Sequence, residues 1–210
     1  MPRTRLEAHL RPRKQPRQAR SVETRARILD AAKSVFAEHG YAAGTTNRIA
    51  EAASMSVGSL YQYFPNKDAI LVELVNAHVA EGMTALAGAL ANAGPISRPD
   101  HVGPAVRAVV SAMVGVHATD RALHRVLFEE SPRPPSLLAD LRRLEDSAVE
   151  TVASVLVGAG LGGDDPAFRA RVTVVAIESL VHRLVASDAP VDLEALTKET
   201  TELVNGYLTR

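Results

Sequence analysis

Apolar positions recur along most of the chain at spacings of three and four, the period of helices that bury one face. Ile28, Leu29, Ala32, Val35 and Phe36 form the first such stripe, opened by Ser21 as N-cap with Glu23 at the positive end of the helix dipole. Gly40 supplies the left-handed residue that commonly ends a helix. A short helix is then predicted from Thr46 to Ala53, a small-residue turn at Ser54 to Ser56, and a second short helix from Val57 to Phe64, stopped by Pro65. That is the outline of a helix-turn-helix, whose second helix can enter a major groove.

Beyond Pro65 the helical period continues. Lys67 to about Ala91 carries Ile70, Leu71, Leu74, Val75, Val79, Met83, Leu86 and Leu90 along one side. Gly94, Pro95 and Pro99 interrupt it, Pro104 to His117 resumes, Asp120 to Glu130 adds a short helix, and Pro132, Pro134 and Pro135 mark a loop. Ser136 to about Val157 is the next helix. The glycine-rich run after it has no strand before it and no lysine behind it, so it reads as a helix end and linker rather than a phosphate loop. Asp165 and Pro166 restart a helix as N-cap and first residue. From Phe168 to Val185 that helix is apolar nearly all round, and such a helix needs cover on every side. A second subunit is the simplest cover. In the last helix, Asp192 to Leu208, the residues Leu193, Leu196, Thr200, Leu203 and Tyr207 follow the alternating three and four of a helix-packing seam. The fold class is therefore all-α, and the last two helices are expected to form half of a four-helix dimer interface through Val174, Ile177, Val181, Leu196, Leu203 and Tyr207.

Charge sharpens this outline. The formal net charge of the 210 residues is zero, but residues 1 to 68 hold 12 Lys and Arg against 6 Asp and Glu, and residues 69 to 210 hold 12 against 18. The basic third is the one containing the helix-turn-helix outline, as a footprint for phosphate requires. Within it, residues 1 to 20 form an Arg-rich, Pro-interspersed arm that cannot bury enough apolar surface to order itself. It reads equally as a tether along the DNA backbone or as a solvated tail.

The facing of the second short helix follows from about 100 degrees per residue. Val57, Leu60 and Phe64 share the inner sector. Gly58, Ser59 and Gln62 point outward, where a bare backbone and hydrogen-bonding side chains suit a groove. Tyr61 and Tyr63 lie on the flanks, as phosphate ligands or as ordinary cover for the core.

The set Ile28 to Phe36, His39-Gly40-Tyr41, Thr45-Thr46, Ile49-Ala50, Leu60-Tyr61, Phe64 and Asn66-Lys67-Asp68 resembles the DNA-binding domain of the TetR family of bacterial transcriptional regulators. The resemblance covers about a quarter of the chain. It implies an N-terminal three-helix DNA-binding domain over residues 21–67, after the arm at 1–20, and a helical effector-binding and dimerisation domain over 68–210. It also implies phosphate contacts from Thr46, Tyr61, Tyr63 and Lys67 and base contacts from Asn47, Gly58 and Ser59. Arg48 is either a phosphate ligand or a solvated charge. Ser54 departs from the family, which usually has glycine in the turn; a left-handed serine there carries about 1 kcal/mol of strain. A small effector is expected between the C-terminal helices, with Met83, Met113, His117, Arg125, Phe128 and Phe168 as candidate lining.

Chemistry for catalysis is not visible. There is no cysteine, the seven histidines are scattered, and the adjacent Glu129 and Glu130 point to different sides of a helix. No metal or cofactor is expected, and the chain is not expected to be an enzyme. With no uncharged run of 18 apolar residues, no membrane partner is expected and a cytoplasmic location is. The expectation is a homodimeric repressor that binds double-stranded operator DNA and is released by a small-molecule effector. The alternatives are a non-specific or architectural DNA-binding protein, and an all-helical small-molecule binder.

Overall fold

The computed structural model describes residues 19–187 and 189–210, so the basic arm falls outside the described residues except at its last two positions. Among the described residues the chain is helical, without strands, in the order α1 (Ala19–Ala43), α2 (Thr46–Ala52), α3 (Val57–Tyr61), α4 (Lys67–Ala93), α5 (Pro99–Ala118), α6 (Arg121–Arg125), a π-helical turn (Val126–Glu130), α7 (Pro135–Gly158), α8 (Pro166–Ala186) and α9 (Leu193–Leu208). Ser21 is not a cap, because α1 is already under way at Ala19. The helix after Gly94 starts at Pro99 rather than Pro104: Pro99 takes a first-turn position, where no amide hydrogen is needed, and Pro104 is carried inside.

Contacts divide the chain into two units, and they do not follow one boundary along the sequence. Among the described residues, one unit holds those up to Val79 together with Ala122–Leu138, and the other holds those of Ala80–Arg121 and Ala139–Arg210.

The first unit is built on Ile28, Ala32 and Phe36 of α1, Ile49 of α2, Leu60 of α3, Phe64, and Ile70, Leu71 and Leu74 of α4, all at most 2% exposed. Burying each large side chain contributes roughly 1.5–3 kcal/mol. The packing is close enough to dictate Gly44, where an added Cβ would come within 2.4 Å of the Phe36 ring. Over Phe64 lies the Arg25 guanidinium, 5.0 Å from the ring centre, with Glu73 2.6 Å away as its ion partner. Val126 and Leu127 from the π-helical turn are buried as well.

The second unit has its own core. Val102, Val106, Val110 and Val114 recur every fourth residue on α5 and meet Ala170, Val174, Ile177, Val181 and Val185 of α8 and Leu196, Val204 and Leu208 of α9. The last turn of α7 closes with Leu161 N donating to Leu156 O and Gly160 N to Val157 O, with Gly160 left-handed at φ 74°. That is a Schellman ending, so the glycine-rich run is a helix terminus. An 18-residue window of α4 matches a membrane span by length and composition, with mean hydropathy 1.3. Its N-terminal part is nonetheless a core helix of the first unit, with Ile70, Leu71, Leu74 and Val75 buried.

Candidate nucleic-acid interface

The helix-turn-helix is set by two side-chain caps and one strained turn. Thr45 is the N-cap of α2, accepting from Arg48 N at 3.3 Å, and Ser56 is the N-cap of α3, accepting from Ser59 N at 3.0 Å. Between the helices Ser54 N donates to Glu51 O and Met55 N to Ala50 O, the same Schellman pattern, with Ser54 at φ 52° in the glycine position. The turn therefore keeps its left-handed residue and Ser54 carries the strain.

α3 is shorter than expected, five residues ending at Tyr61, with Gln62 as C-cap. Leu60 and Phe64 are fully buried, as their sector requires, whereas Val57 is only half-buried. Gly58, Tyr61 and Gln62 are exposed, and so are Asn47 and Arg48 on α2. Thr46, Ser59 and Tyr63 are half-buried. The Ser59 hydroxyl shares a 2.8 Å hydrogen bond with that of Ser56, so it is already engaged in the cap. The hydroxyls of Thr46 and Tyr61 share another, at 3.2 Å. What remains outward is a strip of bare backbone and polar side chains over an apolar floor.

Lys67 is engaged within the unit. Its ammonium donates to Tyr41 O at 2.7 Å and Ala42 O at 3.3 Å, and lies 4.1 Å from the centre of the Tyr41 ring. It thus closes off carbonyls at the end of α1, a role the sequence did not announce. The Tyr41 phenol donates to the neighbouring Asp68 carboxylate. Burial first, and then that hydrogen bond and charge, push the phenol's pKa up, so it stays a neutral donor.

The six candidate pocket residues are divided between the two units. Met113 and the buried His117 belong to α5 in the second unit, His117 with its ring 4.2 Å from that of His182. Met83 is 47% exposed. Phe168 stands 62% exposed on an open groove of about 330 Å³ with Arg169, Tyr207 and Arg210. Arg125 and Phe128 fall in the first unit, Arg125 paired with Glu130 at 3.3 Å and the Phe128 ring tilted against that of His124 with centres 4.7 Å apart. Of the expected dimer residues, Val174, Ile177, Val181 and Leu196 are spent on the subunit's own core. Tyr207 is half-buried, and Leu203 is 59% exposed. The buried stripe of α9 runs every fourth residue, Leu196, Thr200, Val204 and Leu208, so Leu196 and Thr200 of the expected seam face the core while Leu193 and Leu203 are exposed. The outward apolar side chains of α8 include Phe168 and Val175, one heptad apart.

Residues 28–74 match the model of the bacterial regulatory proteins of the tetR family, and residues 104–208 match that of a tetracyclin repressor-like C-terminal domain. The chain is 29% identical over 188 residues to the HTH-type transcriptional regulator TcmR of Streptomyces glaucescens, spanning 86% of this chain and 81% of that one. Over 50 residues, 24% of each chain, it is 46% identical to the HTH-type transcriptional repressor KstR of Mycolicibacterium smegmatis. Among solved structures, a TetR-like transcriptional regulator from Rhodococcus sp. RHA1 superposes with a TM-score of 0.67 at 22% identity, covering 94% of this chain and 97% of that one. The regulator FadR of Bacillus subtilis, solved in complex with stearoyl-CoA, gives 0.65 at 23%, covering 87% and 98%.

Proposed function

This chain belongs to the TetR family of bacterial regulatory proteins, and from that premise we propose that it acts as a homodimeric repressor whose hold on operator DNA is loosened by a small-molecule effector. That it is a DNA-binding transcriptional regulator follows from the family. The observation that carries the reading of the site is the exposed strip of Asn47, Arg48, Gly58, Tyr61 and Gln62 over buried Leu60 and Phe64.

In this reading α3 lies in the major groove. Gly58 brings its backbone close, and Gln62 and Asn47 offer both donor and acceptor to base edges. Arg48, Thr46, Tyr61 and Tyr63 hold phosphates on either side. Two copies are joined through the outer faces of α8 and α9, where Phe168, Val175 and Leu203 stay exposed in a single subunit. Dimerisation doubles the contact, so the operator is a near-palindrome with half-sites about one helical turn, roughly 34 Å, apart. The effector acts by its differential affinity for the DNA-competent and DNA-incompetent arrangements. Such regulators work in the cytoplasm.

Selection of bound fragments from sheared genomic DNA at moderate salt tests the proposal, together with the sedimentation mass of the free protein. Enrichment of one near-palindromic site by a dimer is expected. Recovery of DNA without a shared sequence would identify a non-specific binder instead. The stearoyl-CoA of the Bacillus subtilis relative makes a long-chain acyl thioester the first effector probe.

A further inference from the structure

The direction in which α2 leaves α1 is decided in five residues. α1 breaks at Gly40, with φ 71° and ψ 173°, and the chain turns through Tyr41 to Ala43 until Gly44 N donates back to Gly40 O at 3.0 Å. Thr45 then caps α2, and Thr46 opens it. Any rotation within this corner is inherited by the whole helix-turn-helix.

Two charged side chains grip the corner from opposite ends of its peptide dipoles. On the carbonyl side is the Lys67 ammonium, as described above. On the amide side is Glu130, whose Oε2 accepts from Tyr41 N at 3.3 Å. That carboxylate is seated directly against Gly40: an added Cβ there would come within 2.9 Å of Oε2. Gly40 is thus required for its left-handed backbone, and a side chain there would displace the Glu130 carboxylate.

Glu130 is itself held. Its Oε1 lies 3.3 Å from Arg125 Nε. It is the last residue of the π-helical turn Val126–Glu130, which is pinned by Val126 and Leu127 at 1% and 2% exposure and closed by the Ser131 hydroxyl donating to Leu127 O at 2.9 Å. Single π-turns within helical segments recur at functional sites.

We propose that Glu130 is a positioning residue for DNA binding, which, backed by Arg125 and opposed by Lys67, fixes the Gly40–Tyr41 corner and through it the presentation of α2 and α3. The inference rests on the DNA-binding reading. It places a determinant of operator affinity 89 residues downstream of the corner it controls, outside the segment that matches the family's DNA-binding domain.

Charge supplies a test that a merely decorative carboxylate would fail. Glu130→Ala and Glu130→Gln both remove one negative charge, so electrostatics alone makes both bind DNA more tightly. A positioning role separates them, because the glutamine keeps an acceptor oxygen and the alanine does not. For the full chain on the operator fragment recovered by selection, fluorescence anisotropy between 50 and 200 mM salt is expected to show Glu130→Ala weakened on the order of fivefold, a loss typical of one hydrogen bond. Its salt slope should be unchanged, Glu130→Gln should stay near the parent, and both variants should keep the parent's helical circular dichroism. Amide exchange over residues 40–46, measured without DNA, should quicken in the alanine variant alone. Alanine affinity equal to or above the parent's, or a glutamine variant that falls as far as the alanine one, overturns the proposal. Were the parent itself to show no operator preference, the DNA-binding reading would fail instead. Unchanged exchange at the corner would then still overturn the clamp on its own.

Discussion

The hydroxyl oxygens of Thr46 and Tyr61 lie 3.2 Å apart, joining the first residue of α2 to the last of α3 across the turn. One hydroxyl hydrogen is used between them, and the other is left for a ligand. A phosphate oxygen is the fitting acceptor. Tyr61→Phe is expected to weaken binding to all DNA sequences by about two- to tenfold, the range of one neutral hydrogen bond. Sequence preference and melting temperature should barely change. Parent-like affinity in a titration of operator and random duplexes would make the pair an internal stitch of the fold.

Gly58 has open space around it, the nearest atom to an added Cβ being Ser56 Oγ at 3.9 Å. The fold should accept Gly58→Val without loss of melting temperature. Specific binding should fall at least about tenfold, since the branched side chain holds the backbone away from base edges. Normal operator binding by this variant would move α3 out of the groove.

Lys67→Ala leaves two carbonyls at the end of α1 without their ammonium partner and removes a cation from the Tyr41 ring. A stability loss of about 1–2 kcal/mol is expected in denaturant melts. The slope of log affinity against log salt should match the parent. A slope lower by about one unit would show that the ammonium leaves its carbonyls for a phosphate when DNA binds.

Glu178 on α8 is half-buried, and desolvation first, with the Glu145 charge second, raises its pKa above the ordinary 4.5. A raised carboxyl favours the protonated form in the folded state. Its contribution to stability is full below pH 4.5 and is lost as pH rises through the folded value. Glu178→Gln should therefore flatten the fall in melting temperature over that range and melt higher than the parent at pH 7. Parallel melting profiles for the two proteins would show that Glu178 is not desolvated in solution.

Ser54 occupies a left-handed position at φ 52°, where glycine fits without strain. Ser54→Gly is expected to raise stability by up to about 1 kcal/mol, read from the denaturant midpoint. A lower midpoint would mean that the glycine's extra freedom in the unfolded chain outweighs the relief.

Local chemistry made much of this legible in the sequence. The Leu60 and Phe64 sector, the left-handed turn at Ser54, Asp165 and Pro166 at the start of α8 and the glycine ending of α7 each depend on neighbours within a few residues. The family resemblance, carried by short motifs between Ile28 and Asp68, holds across the helix-turn-helix. Selections made among long-range partners were not legible. Periodicity identifies an apolar face but not its occupant, so Val174, Ile177, Val181 and Leu196 read as an interface while they fill the subunit's core. The same ambiguity holds for the candidate pocket residues, since a Met, a Phe and a His are equally at home in a core, on a groove or on a surface. The carbonyl partners of Lys67 lie 26 and 25 residues away, so its contacts within the fold had no local signal. Glu130 carried no signal, because nothing near it in sequence marks Gly40 as its seat.

A ribosome releases the chain from its N-terminus, and the corner at Gly40 emerges long before the carboxylate that grips it. α1, α2, α3 and the first half of α4 are all synthesised while Arg125, Val126, Leu127 and Glu130 remain untranslated. The reading head thus spends its first moments without one of its fastenings. Its final geometry is completed only after the chain has passed through α5, and a nascent regulator does not acquire its full grip on DNA until part of its C-terminal half has been made.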